Sequence, residues 1–165
     1  MHTVCFTGHR HVTDAEHAWL DDALEHEIER QIQNGARIFR AGGALGFDTM
    51  AALCVIKMKE KYPDVSLELV FPCPEQTKNW KADDRLLYEQ IKERADSRQY
   101  VSDFYFQGVM QKRNRALVDG ADLCIAFLRG DTGGTAYTVS YAQKKGTPVI
   151  CLRPPFQDQL SWSFE

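Results

Sequence analysis

Residues 121–152 read ADLCIAFLRGDTGGTAYTVSYAQKKGTPVICL, and the order of their parts decides the fold. ADLCIAFL (121–128) is a short apolar run of strand length. YTVSYAQKK (137–145) is a helical segment closed by Gly146, and TPVICL (147–152) is strand-like again. Strand, helix and strand in this order predict parallel pairing through a right-handed crossover. LCIAFL and PVICL are almost continuously apolar, the pattern of strands covered on both faces. Between them RGDTGGT feeds the strand into the helix, as a turn, a phosphate grip or part of a reaction centre.

The same alternation runs through the rest of the chain, without repeats, low-complexity tracts or linkers. TVCFTG (3–8), ARIFRAGG (36–43), LELVF (67–71) and RQYVS (98–102) read as strands. Thr13 and Glu16 have capping-box spacing, and Leu20, Leu24, Ile28 and Ile32 then lay one apolar stripe along a helix that stops at Asn34-Gly35. A second helix over 50–62 has Met50, Leu53, Cys54, Val55 and Met58 as its expected buried face. A third runs from about Trp80 to Arg94 with Leu87 and Ile91 inward, and QGVMQKRNRALVDG (107–120) is a fourth. The expected fold class is α/β: a single three-layer Rossmann-like domain over residues 1–165 with a mostly parallel sheet. The tail from about residue 153, with an exposed-looking Trp162, is expected to be irregular.

A chain of 165 residues, 44% of them hydrophobic, suits one domain with a sizeable core. Its net charge of -3 shows no basic excess, so nucleic acid is not the expected partner. MHTVCFTGHR lacks a basic leader followed by an apolar run, and no uncharged apolar stretch approaches the roughly 18 residues of a membrane span. The expected location is cytoplasmic, which leaves Arg129-Gly130-Asp131 no adhesion role. Cys5, Cys54, Cys73, Cys124 and Cys151 are odd in number with no close pair, and are expected to be buried free thiols.

In a parallel sheet, ligands bind beyond the carboxyl ends of the strands. After the first strand stand Gly8, His9 and Arg10: either a plain turn, or a close backbone approach with a phosphate fork and a proton shuttle. His9 and His11 complete no metal ligand set, so no metal or cofactor is expected. After the second strand, Gly42, Gly43 and Gly46 precede Asp48 at a helix start, an anion cradle without the spacing of the dinucleotide fingerprint. Asp48 holds a ribose hydroxyl or favours the helix N-terminus. Gln76 and Trp80 follow the third strand, where Trp80 stacks on a base or closes the core edge. Arg113 and Asn114 lie on the fourth helix, and Gly133, Gly134 and Thr135 start the last one, where free amides suit a phosphate.

TGHR, GGALGFD, the P-x-P-x-x-Q run before Trp80, and Arg113-Asn114 followed by Ala121-Asp122 and GGT together resemble the YpsA-like members of the SLOG superfamily over nearly the whole chain. The resemblance implies a Rossmann-like fold and binding of a nucleotide or nucleotide-derived ligand. More distantly, the Arg113 and Gly133-Gly134-Thr135 regions resemble the lonely guy phosphoribohydrolases, which cleave an N-glycosidic bond with an arginine and the glutamate of P-G-G-x-G-T-x-x-E. Arg113 matches that arginine, Asn114 replaces a lysine, and Thr138 stands at the glutamate's position. A threonine cannot supply a negative charge to an oxocarbenium-like transition state, so the resemblance favours binding over the same hydrolysis. Asp131 and Glu75 are the loop carboxylates that a different arrangement would use. DNA-processing proteins share the superfamily, and relatives of the fold often pair through helices. The expectations are thus a small nucleotide-like partner and a possible homo-oligomer. A nucleotide-bond hydrolase with His9 or Asp48 as acid-base group, a nucleic-acid binder and a regulatory scaffold are the alternatives.

Overall fold

A computed structural model describes residues 2–154. Six strands, β1 (His2–Gly8), β2 (Ala36–Ala41), β3 (Ser66–Phe71), β4 (Ser97–Tyr100), β5 (Leu123–Phe127) and β6 (Val149–Cys151), form one sheet in the order β4-β3-β2-β1-β5-β6. Every pairing is parallel, a purer arrangement than the mostly parallel sheet expected from the sequence. Five helices connect them: α1 (Asp14–Gln33), α2 (Phe47–Lys61), α3 (Ala82–Arg94), α4 (Val109–Val118) and α5 (Gly134–Lys144), with a short 3-10 turn at Pro74–Thr77.

The first four strands are laid down outward from β1, and the chain then crosses back to place β5 on β1's other side. Because right-handed crossovers made in opposite directions lie on opposite faces, α1–α3 cover one face and α4–α5 the other. Two core clusters show this: Val4 and Phe6 pack with Leu20, Leu24, Phe47 and Val55, whereas Cys5 packs with Leu117, Cys124 and Ala142. Thr13 caps α1 as its spacing predicts, its hydroxyl accepting from the Glu16 amide at 3.1 Å and its amide donating to the Glu16 carboxylate at 3.0 Å.

Three expectations are corrected. Leu53 is exposed because its side of α2 opens onto a groove toward α3, and Cys54, on the side facing Glu25 of α1, is only half-buried. β6 is half-buried at the sheet edge, so its apolar run does not mean cover on both faces. Cys5, Cys73 and Cys124 are buried free thiols, but Cys54 and Cys151 are only partly covered. Burial, aided by the nearby Glu25 carboxylate, still pushes the Cys54 thiol up to about 12. Trp162 and the tail beyond residue 154 lie outside the described residues.

Candidate functional site

The reversal of strand order falls between β1 and β5, and a crevice of about 220 Å³ opens beyond their carboxyl ends, where such sheets take their ligands. Gly8, His9 and Arg10 line it from β1, and Asp48 from the first turn of α2. Arg113 and Asn114 line it from α4, Gly134 and Thr135 from the start of α5, and Gln76 from the 3-10 turn. Residues far apart in sequence thus line one space. Gly42 lies behind them, and Gly133 caps α5 outside the lining. Gly43, Gly46 and Trp80 line instead a neighbouring chamber of about 450 Å³ between α2 and α3, which shares Arg10 and Asp48 with the crevice.

The buried centre of the wall is Arg113. Its Nη1 donates to the Gly42 carbonyl and its Nε to Asn114 Oδ1 at 2.9 Å. Asp48 is equally buried, and its Oδ2 accepts from the Ala44 amide at 3.2 Å. A Cβ added at Gly42 would stand 2.8 Å from both Arg113 Nη1 and Asp48 Oδ2, so the two side chains converge over this glycine. Burial pushes the Asp48 carboxyl above the usual range, against the pull of Arg113 and of the Ala44 amide. Burial likewise lowers the Arg113 pKa, with Asp48 opposing. Asp48 therefore serves the loop before its own helix and also lines both cavities.

At the opposite wall the first amides of α5 have no partner inside the helix and lie at its positive dipole end. Gly134 approaches Asn114, whose Nδ2 would be 3.9 Å from an added Cβ. Thr138, at the position where the distant hydrolases carry glutamate, is fully buried and donates to the Gly134 carbonyl at 2.8 Å, one turn inside α5. Asp131 and Glu75 are exposed and line neither cavity.

Several glycines prove to serve packing. A Cβ on Gly8 would lie 2.3 Å from the Phe47 ring, and one on Gly43 2.3 Å from Phe71. The backbone approach expected at these positions is an approach to the core. Trp80 is half-buried against Tyr88, with ring centroids 5.5 Å apart, so it closes the core edge while lining the chamber.

Arg129 received no role from the sequence, yet it ties the loops together. Its amide donates to His9 Nε2 at 2.7 Å, its Nη2 to the His11 carbonyl at 2.6 Å, and its Nε lies 2.8 Å from Glu16. Its place in the quoted RGD triplet was the only signal. His9 Nε2 accepts here, so the ring is neutral with its hydrogen on Nδ1. Burial lowers the His9 pKa from its ordinary 6.5 and the Arg129 charge adds to this, while Glu16 opposes it. A folded value below the unfolded one means the link is complete above about pH 6.5 and is lost as pH falls through the folded value. The expected result is an Arg129 amide resonance that moves in step with the His9 ring between pH 7.5 and 5; an amide that stays fixed while the ring titrates would refute the link.

A parallel three-layer domain with a crevice at its strand-order reversal is a Rossmann-like domain, and comparison with known proteins narrows this class. The YspA SLOG family model matches residues 4–149, and the chain belongs to that family. It is 31% identical to the SPbeta prophage-derived protein YoqJ of Bacillus subtilis, over 88% of this chain and 94% of that protein. It is 30% identical to a UPF0398 protein of Halalkalibacterium halodurans, over 84% of this chain and 72% of the relative. Among solved structures it resembles DNA processing protein A of Helicobacter pylori, described by its single-stranded DNA binding mode. That match has a TM-score of 0.62 and 18% identity, and covers 98% of this chain and 73% of the other. At this identity the likeness is one of fold. No helix among the described residues is long and apolar enough to cross a membrane.

Proposed function

We propose that this chain binds a nucleotide or nucleotide-derived ligand, with a phosphate in the crevice between β1 and β5. The observation that carries the reading is convergence: the α5 amides at Gly134 and Thr135, the buried Arg113 and the exposed Arg10 meet around one small space. Free helix-start amides and a guanidinium fork are complementary to an anion with several oxygens. Gln76 and Asn114 add neutral hydrogen-bonding groups at its walls.

The test is thermal unfolding of the purified chain against nucleoside mono- and diphosphates, ADP-ribose and NAD. A ligand at about 100 times its Kd adds roughly 2.7 kcal/mol, which raises the Tm of a domain this size by about 5–10 °C. No shift with any of them rejects the reading. Single-stranded DNA belongs in the same panel, because the Helicobacter fold neighbour is described as binding it. A shift with DNA alone, weakening steeply with salt, would move the assignment to nucleic acid.

Asp48 favours a second reading, hydrolysis of the ligand's N-glycosidic or phosphate bond. It is a buried carboxyl with a raised pKa facing the crevice, the environment in which an acid keeps a proton to donate. Chromatography of nucleoside monophosphates after incubation decides it, since unchanged substrate at high protein concentration leaves binding alone.

A further inference from the structure

We propose that the base of the ligand occupies the 450 Å³ chamber between α2 and α3, so that one nucleotide spans both cavities across Arg10 and Asp48. This rests on the phosphate reading of the crevice. Arg10 and Asp48 line both spaces, so the two adjoin at these residues. The chamber's walls are largely core side chains, among them Met50, Leu69, Phe71, Leu87 and Tyr88. Close-packed interiors leave few voids of this size, and an apolar recess beside a polar one is the common form of a small-molecule site.

The aromatic pair Trp80 and Tyr88 supplies a second indication. Tyr88 is 7% exposed and lines the chamber, while its hydroxyl is enclosed beside Gln76 and Tyr100. Trp80 and Tyr88 stand nearly perpendicular at 85°, presenting a ring face beside a ring edge. His17, Thr49 and Asp84 add polar groups to the lining. An aliphatic chain would answer none of these groups; a flat heterocycle with a hydrogen-bonding edge answers the aromatic walls and the polar groups together.

The experiment is calorimetric titration of the wild-type chain, Leu87→Trp and Trp80→Ala with AMP, GMP, CMP, UMP and ribose 5-phosphate. At least one nucleoside monophosphate is expected to bind about tenfold or more tighter than ribose 5-phosphate. Leu87→Trp, which narrows the chamber with a bulkier wall, is expected to erase that gain and leave ribose 5-phosphate unchanged, and Trp80→Ala, which removes the ring face, to reduce it several-fold. Equal binding of ribose 5-phosphate and every monophosphate, or a gain that survives Leu87→Trp, overturns the chamber assignment while leaving the phosphate crevice standing. Binding of no phosphorylated probe overturns both. If thermal melting shows that Leu87→Trp does not fold, Trp80→Ala decides alone, and an undiminished gain in that variant rejects the proposal.

Discussion

Gly46→Ala is expected to cost about 4 kcal/mol of stability, lowering the Tm by roughly 8–16 °C. Gly46 precedes α2 with φ +76°, ψ -120°, a conformation that side-chain-bearing residues rarely adopt. An added Cβ would also stand 2.3 Å from the Arg10 carbonyl oxygen. That obstacle is backbone, and the neighbouring His9 carbonyl is already engaged by the Phe47 amide at 3.1 Å, so relief requires moving the β1–α1 loop. Gly133→Ala isolates the conformational part, because Gly133 has φ +93° but nothing within 4 Å of an added Cβ. Its expected cost, from the glycine-favoured pairing of that φ with ψ -174°, is about 2 kcal/mol. Urea unfolding of both variants measures the contrast, and equal losses would show that the close approach at Gly46 has no energetic weight.

Arg113→Ala is expected to lose about 3 kcal/mol of stability and all measurable binding of phosphorylated ligands. Truncation strands the Gly42 carbonyl and leaves Asp48 buried without the positive charge that opposes its desolvation. Arg113→Met with Asp48→Asn retains side-chain volume at both positions and removes the uncompensated charge. It should recover more than half of the lost stability without recovering binding. A double variant no more stable than Arg113→Ala would show that the two groups are not coupled. An Arg113→Ala protein that folds and binds nucleotides normally would remove the arginine from the site.

The layered fold was legible because the signals that define it are local. Strand-length apolar runs at 67–71 and 121–128, and the helical stripe of Leu20, Leu24, Ile28 and Ile32, need only near neighbours to be read. The corrections concern what lies across from an element. Leu53 has the spacing of a core residue, but no neighbour fills the space beside it, and β6 is apolar in sequence yet forms an edge. The crevice followed from the rule that ligands bind beyond the carboxyl ends of parallel strands, which brought Arg10 and Gly134 together despite their separation, whereas Arg113, inside α4, was singled out by the family resemblance. The division into two cavities was not legible, because Gly43 and Gly46 adjoin Gly42 in sequence but face another space. Nor was the work of Arg129, whose three partners come from the β1–α1 loop and α1. A glycine also looks the same in sequence whether a ligand or Phe47 comes close to it.

The position of β5 beside β1 bears on how the molecule is assembled. The Thr3 amide donates to the Asp122 carboxylate across a separation of 119 residues, and strand pairing continues from Val4–Leu123 to Gly8–Phe127. The pairing of β1 with β5 is therefore the sheet's longest-range connection and carries the greatest loop-closure entropy. β1 through β4 join sequential neighbours, but the crevice has its second wall only once the final third of the polypeptide has returned to the first strand. No fragment ending before Gly134 contains the site, so binding at the crevice reports that the two ends of the described chain have come together.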